Sequence, residues 1–158
     1  MSDPDPSPKL TPTLAETARR RADLHHALVG VERAISSPAV AREGDWTKDV
    51  AVQLRDLREA LTEHIEVTER EGGLYEEICQ RAPRLSNKID QLRDEHPEIR
   101  DAATALIDRL DTDGVGERWP PREARDELQR LLGRVVRHRQ LGADLVWEAY
   151  NLDIGGIE

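Results

Sequence analysis

The residues of this chain best suited to chemistry at neutral pH are its five histidines, at positions 25, 26, 64, 96 and 138. His64, His96 and His138 each interrupt a row of apolar residues that repeats with the spacing of an amphipathic helix. Such a row faces the protein interior, where a polar ring must find a partner or destabilise the fold. Imidazoles that converge from different helices suit iron, zinc, copper or nickel, so the pattern predicts a metal site.

The composition indicates one all-α domain with a highly charged surface. Of the 158 residues, 35% are charged and 3% are aromatic, and the apolar residues are mostly Leu, Ala, Val and Ile at helical spacing. The net charge of −9 disfavours a nucleic acid or an anionic membrane as a partner, because both attract basic proteins. No apolar run approaches the roughly 20 residues that span a bilayer, so we expect a cytoplasmic protein without membrane contact.

The order of apolar rows and breaks predicts four helices. Residues 1–12 carry four prolines and are predicted to form a disordered leader, followed by a helical bundle over residues 13–154. Breaks are predicted near Pro38, at Gly72 and before Pro83, and between Asp111 and Pro120. Pro97, beside His96, should bend or loosen the third helix. Four helices with short loops predict an antiparallel up-down-up-down four-helix bundle.

The spacing of the histidines places one from each helix in a common layer. In an antiparallel bundle, residues of consecutive helices share a height when the turn lies midway between them. The midpoint of His64 and His96 is residue 80, that of His96 and His138 is residue 117, and both fall at predicted breaks. On the first helix, an alanine-rich row from Ala15 to Val29 contains His25 rather than His26. The expected ligands are therefore His25, His64, His96 and His138.

Several short motifs of the chain resemble the hemerythrin-like, or HHE cation-binding, domains. The matching pieces are His25-His26-Ala27-Leu28, Leu61-Thr62-Glu63-His64, Glu95-His96-Pro97-Glu98-Ile99, and the stretch from His138 to Tyr150. The resemblance implies a four-helix bundle with a non-haem iron centre. It also implies that His25, His64, His96 and His138 are metal ligands, and that the function is oxygen or nitric oxide sensing, peroxide chemistry or iron handling.

The chain departs from the family at the carboxylates that bridge two irons. The family pattern implies an acidic residue four positions after the histidine on the second and fourth helices, where this chain has Thr68 and Gly142. Both positions lie on the same helix face as the histidine, but neither can supply a carboxylate oxygen. Glu69, five residues after His64, is the stronger remaining candidate for an acidic ligand, and Asp144, six residues after His138, is a weaker one. We therefore expect at most one ion, iron or zinc, in a histidine-only or mononuclear site.

Two functions remain open from the sequence. In the first, the chain is a metal-binding bundle whose ion takes a small diatomic or peroxide ligand, with enzymatic activity undecided. In the second, the metal has been lost, and the bundle is a protein-interaction or scaffolding module whose protein partner is unknown. If packing alone mattered, leucine would be more stable than histidine at the three positions where histidine interrupts an apolar row. The presence of histidine there favours metal binding.

Overall fold

The computed structural model describes residues 11–151, and this part of the chain is all-helical, with no β-strand among the described residues. The predicted leader, apart from Thr11 and Pro12, and the predicted end of the bundle at residue 154 therefore lie outside the described residues. A 3-10 turn over Pro83–Leu85 leads into the fourth of five α-helices. These helices are α1 (Pro12–Ser36), α2 (Glu43–Glu69), α3 (Leu74–Arg81), α4 (Ser86–Thr112) and α5 (Pro121–Tyr150).

The helix ends follow local signals in the sequence. The Thr11 hydroxyl accepts a hydrogen bond from the Leu14 amide at 3.2 Å, which satisfies one of the free amides of the first turn of α1. After α2, Gly72 has a φ of 73°, a conformation that costs glycine little, and the chain turns there before α3 begins. α5 ends at Tyr150, and the next residue, Asn151, is in the left-handed region with a φ of 57°. α4 continues without interruption through the exposed Pro97.

The four long helices pack side by side in a bundle, and this confirms the predicted all-α bundle. α1 packs on α2, α2 on α4, α4 on α5, and α5 on α1. The short α3 lies against the ends of α1, α2 and α5. None of the described helices has the length and apolar character needed to cross a membrane.

The buried apolar residues form two separate clusters. The large cluster includes Leu24, Leu61, Ile99 and Val135. The small cluster, which contains much of α3, comprises Leu14, Leu74, Tyr75, Ile78, Ala82, Leu85, Ile89, Leu92, Leu145, Val146 and Tyr150.

The positions between the two clusters are taken by buried polar residues on three helices. On α1, Arg21 lies between Leu14 and Leu24; on α4, His96 lies between Leu92 and Ile99; on α5, His138 lies between Val135 and Leu145. A polar layer therefore divides the core, and this layer contains the candidate site.

Candidate metal centre

Three histidines from three helices meet in the polar layer. His64 of α2, His96 of α4 and His138 of α5 each offer a ring nitrogen, and these nitrogens all lie within 4.8 Å of one another. The ring centroids are 4.8 Å apart for His96 and His138, 5.3 Å for His64 and His96, and 5.5 Å for His64 and His138. His96 and His138 are 1% and 2% exposed. Three of the four predicted histidine ligands are thus brought together.

Two carboxylates hold the rings of His96 and His138 from behind. Glu69 Oε2 lies 2.9 Å from His96 Nδ1, and Glu95 Oε2 lies 2.6 Å from His138 Nδ1. Glu69 was predicted as a direct ligand, but its carboxylate is bonded to the far nitrogen of a candidate ligand. Carboxylates in this position fix the ring and its tautomer at histidine metal sites. No pattern in the sequence had pointed to this role for Glu95.

The remaining nitrogens of these two rings face each other. The distance between His96 Nε2 and His138 Nε2 is 3.0 Å. An ionised carboxylate only accepts hydrogen bonds, so each Nδ1 must carry a proton to bond its glutamate. Each Nε2 of a neutral ring is then a bare acceptor, and two acceptors at this distance repel. The contact requires either one extra shared proton or a cation bound by both nitrogens.

Burial disfavours the charged forms of His64 and His96. Loss of hydration, followed by the neighbouring His138, lowers the pKa of His96 to about 3. Burial also lowers the pKa of His64 well below its ordinary value, with further lowering by His138 and His96. Burial thus disfavours an extra proton on His96, whereas neutral imidazole is the form that binds a metal ion.

His64 is the least satisfied of the three rings. Neither of its nitrogens has a hydrogen-bond partner among the described protein atoms, and both nitrogens are shielded from solvent. Its ring stands edge-on to both His96 and His138, at interplanar angles of 85° and 83°. A buried polar group without a partner is costly, so this ring needs a ligand more than the other two do.

His25, predicted as the fourth ligand, is not part of this group. The interior row of α1 consists of Leu14, Thr17, Arg21, Leu24, Leu28, Val31 and Ile35, not of the predicted alanines. His25 follows Leu24 and therefore points about 100° away around the helix. Arg21 occupies the corresponding height of α1, and its Nη1 donates to the backbone carbonyl of Arg139 at 3.0 Å.

A small cavity adjoins the histidines at the two positions where the bridging carboxylates are replaced. It has a volume of about 30 Å³, and its walls include His64, His138, Thr68 and Gly142. The Thr68 hydroxyl donates within its own helix, to the carbonyls of His64 at 2.9 Å and Ile65 at 3.1 Å. A Cβ added at Gly142 would meet nothing within 4 Å. With no carboxylate at either position, the cavity offers no bridging ligand for a second ion.

Tyr75 of α3 also reaches the site, although the sequence did not indicate it. Its hydroxyl oxygen lies 3.3 Å from His96 Nε2, and its ring stacks on that imidazole with an interplanar angle of 15°. The side chain is 3% exposed, and burial raises the pKa of its phenol. An eight-residue helix is too short for its apolar spacing to reveal which side chain points into a site.

Comparison with known proteins does not assign the chain to a family. No protein-family model, curated protein or solved structure matches it. Its function is therefore inferred from the geometry of the site and from the motifs described above.

Proposed function

We propose that this protein is a hemerythrin-like helical bundle that binds one transition-metal ion, iron or zinc, through His64, His96 and His138. The observation that carries the proposal is the 3.0 Å contact between His96 Nε2 and His138 Nε2, with a carboxylate on the opposite side of each ring. A cation between the two Nε2 atoms would replace the repulsion between two lone pairs by two coordinate bonds. The same ion would give the buried His64 ring the partner it lacks.

The distances among the donor atoms support this proposal. Metal–nitrogen bonds of about 2.1 Å place neighbouring ligand atoms about 3.0 Å apart in an octahedron and about 3.4 Å apart in a tetrahedron. The observed Nε2–Nε2 distance of 3.0 Å falls at the lower end of this range. The ring nitrogens of all three histidines lie within 4.8 Å of one another, so His64 would complete the site by moving toward the other two rings, while Glu69 and Glu95 would hold those two rings in place.

The direction of the helices supports the hemerythrin-like topology as part of the same proposal. Along α1 the chain passes from Leu14 in the small cluster to Leu28 in the large cluster, whereas along α5 it passes from Leu128 in the large cluster to Leu145 in the small one. α4 runs in the same sense as α1. An up-down-up-down bundle requires such alternation.

The cavity favours a single ion and a small ligand. Thr68 and Gly142 offer no bridging carboxylate, so a second ion would bring two further charges into a buried site without anionic ligands. A cavity of about 30 Å³ holds roughly two water-sized groups. This size fits a diatomic molecule or peroxide, and a bound transition metal would supply Lewis acidity toward such a ligand.

Metal analysis of protein purified without a nickel column tests the proposal. We expect about one iron or zinc ion per chain, and stabilisation of about 2.7 kcal/mol when the free metal is 100 times its Kd. His96→Ala should abolish binding. His26→Ala should retain it, because His26 is exposed and outside the site. Two irons per chain would contradict the mononuclear site, and a melting temperature insensitive to chelator and added metal would favour the metal-free interaction module.

A further inference from the structure

The Tyr75 hydroxyl is positioned as one of the donor atoms around the candidate ion. It lies 3.3 Å from His96 Nε2, and that nitrogen lies 3.0 Å from His138 Nε2. Both separations match the spacing of about 3.0 to 3.4 Å between ligand atoms that share one metal ion. The hydroxyl therefore lies beside His96 Nε2 at the spacing that a further ligand atom of the same ion would have.

The local structure holds Tyr75 in this position. Tyr75 is the second residue of α3, directly after the turn at Gly72 and Gly73. Its ring is stacked on His96 and belongs to the small apolar cluster with Leu74 and Ile78. Because the ring is packed on several sides, the oxygen can approach an ion by a small movement but cannot swing out to solvent.

We propose that the phenolic oxygen of Tyr75 is the fourth protein ligand of the ion, which makes the site three-nitrogen, one-oxygen and selects ferric iron. This inference rests on the proposed function, because it requires the tri-histidine site. Coordination breaks the phenol O–H bond, the oxygen keeps the electron pair, and the proton passes to solvent. Three neutral imidazoles bring no negative charge, so the phenolate is the group that offsets part of the ion's charge in a buried site.

Visible spectroscopy of the iron-loaded full chain tests the inference. Apo-protein mixed with ferric nitrilotriacetate should develop a phenolate-to-iron charge-transfer band, and Raman excitation within that band should enhance tyrosinate vibrations. Tyr75→Phe keeps the ring and removes only the oxygen, so the band should disappear and ferric affinity should fall more than about 10-fold. Zinc should still bind to this variant through the three histidines.

The chain offers a matched control, because it contains only two tyrosines. Tyr150 is also buried, at 7% exposed, but it lies at the end of α5, where its ring packs under the guanidinium of Arg81. Tyr150→Phe should therefore keep both the band and the affinity of the parent protein. Circular dichroism establishes that each variant is folded, and the Raman spectrum of the parent protein tests for a tyrosinate ligand without any substitution.

The possible results distinguish a failure of the Tyr75 ligand from a failure of the tri-histidine site. Iron bound without the visible band, or an equal band in Tyr75→Phe, would overturn the role of Tyr75 and leave the tri-histidine site intact. Failure of the parent protein to bind either ferric iron or zinc would overturn both. A band lost in Tyr75→Phe and kept in Tyr150→Phe would support both.

Discussion

Replacing His64 by leucine should make the metal-free protein more stable while removing its response to metal. Both nitrogens of the His64 ring are buried without a hydrogen-bond partner among the described protein atoms. Each such group costs about 1–3 kcal/mol when it is left unsatisfied. Leucine has a similar volume and would face Leu24, Leu74 and Leu145 across the cavity. We expect a gain of about 2 kcal/mol, even after some loss of packing quality.

Thermal denaturation in the presence of a chelator measures this gain. For a domain of this size, about 2 kcal/mol corresponds to a rise of roughly 4–8 °C in Tm. The parent protein should gain about 2.7 kcal/mol from metal at 100 times its Kd, whereas His64→Leu should gain almost nothing. His26→Ala changes an exposed ring and should leave both measurements unchanged.

A single result would refute this reasoning. If metal-free His64→Leu were less stable than the parent by about 1 kcal/mol or more, the His64 ring would be well satisfied without metal, and its nitrogens would give no reason to expect a bound ion.

Three further results are expected. Burial lowers the folded-state pKa values of His64 and His96 below the unfolded value, so the unfolded protein binds more protons below about pH 6.5. From about pH 7 to about pH 5, the stability of the metal-free protein should fall by about 2 kcal/mol through His96 and further through His64. Denaturant titrations across this range measure the slope, which His64→Leu should reduce. Glu69→Gln should weaken zinc binding by about 10–100-fold in a competition titration, because His96 loses its carboxylate partner. Gly142→Ala and Gly133→Ala both add a Cβ that meets nothing within 4 Å, so each should raise the free energy of unfolding by about 0.5–1 kcal/mol. Because only Gly142 lines the cavity beside the histidines, only Gly142→Ala should alter the binding of a small ligand there.

The sequence predicted the helices and three of the histidines because the rows on α2, α4 and α5 are regular. His96 and His138 each replace an aliphatic residue in such a row, and both are almost fully buried. The interior row predicted on α1, which contained His25, was wrong because Thr17 and Arg21 are buried members of the observed row. Because these two positions are polar, the interior row of α1 does not show regular apolar spacing in the sequence. The alanines on a neighbouring face have a more regular spacing, and this spacing predicted the wrong face instead.

The contacts of the site could not be read from the sequence for a different reason. Glu69 and Glu95 are adjacent to residues on the interior face, and their carboxylates reach the rings by side-chain conformation, which spacing does not determine. Tyr75 lies on a short helix whose placement depends on the turn before it and on the apolar cluster it joins. Such features depend on tertiary packing rather than on periodicity.

The division of the core by the polar layer has a consequence for how the molecule opens. The small cluster is built around the eight-residue α3 and the ends of longer helices, so it buries less apolar surface than the large cluster. Parts of a protein with few buried apolar contacts unfold locally at a lower free energy than the whole chain. We expect the backbone amides of α3 to exchange with deuterium faster than those in the middle of α2. An ion bound in the polar layer would link the helices at the boundary of the two clusters, so metal should slow this exchange. Opening of the small cluster would also give the ion a route to the histidines while the large cluster stays folded.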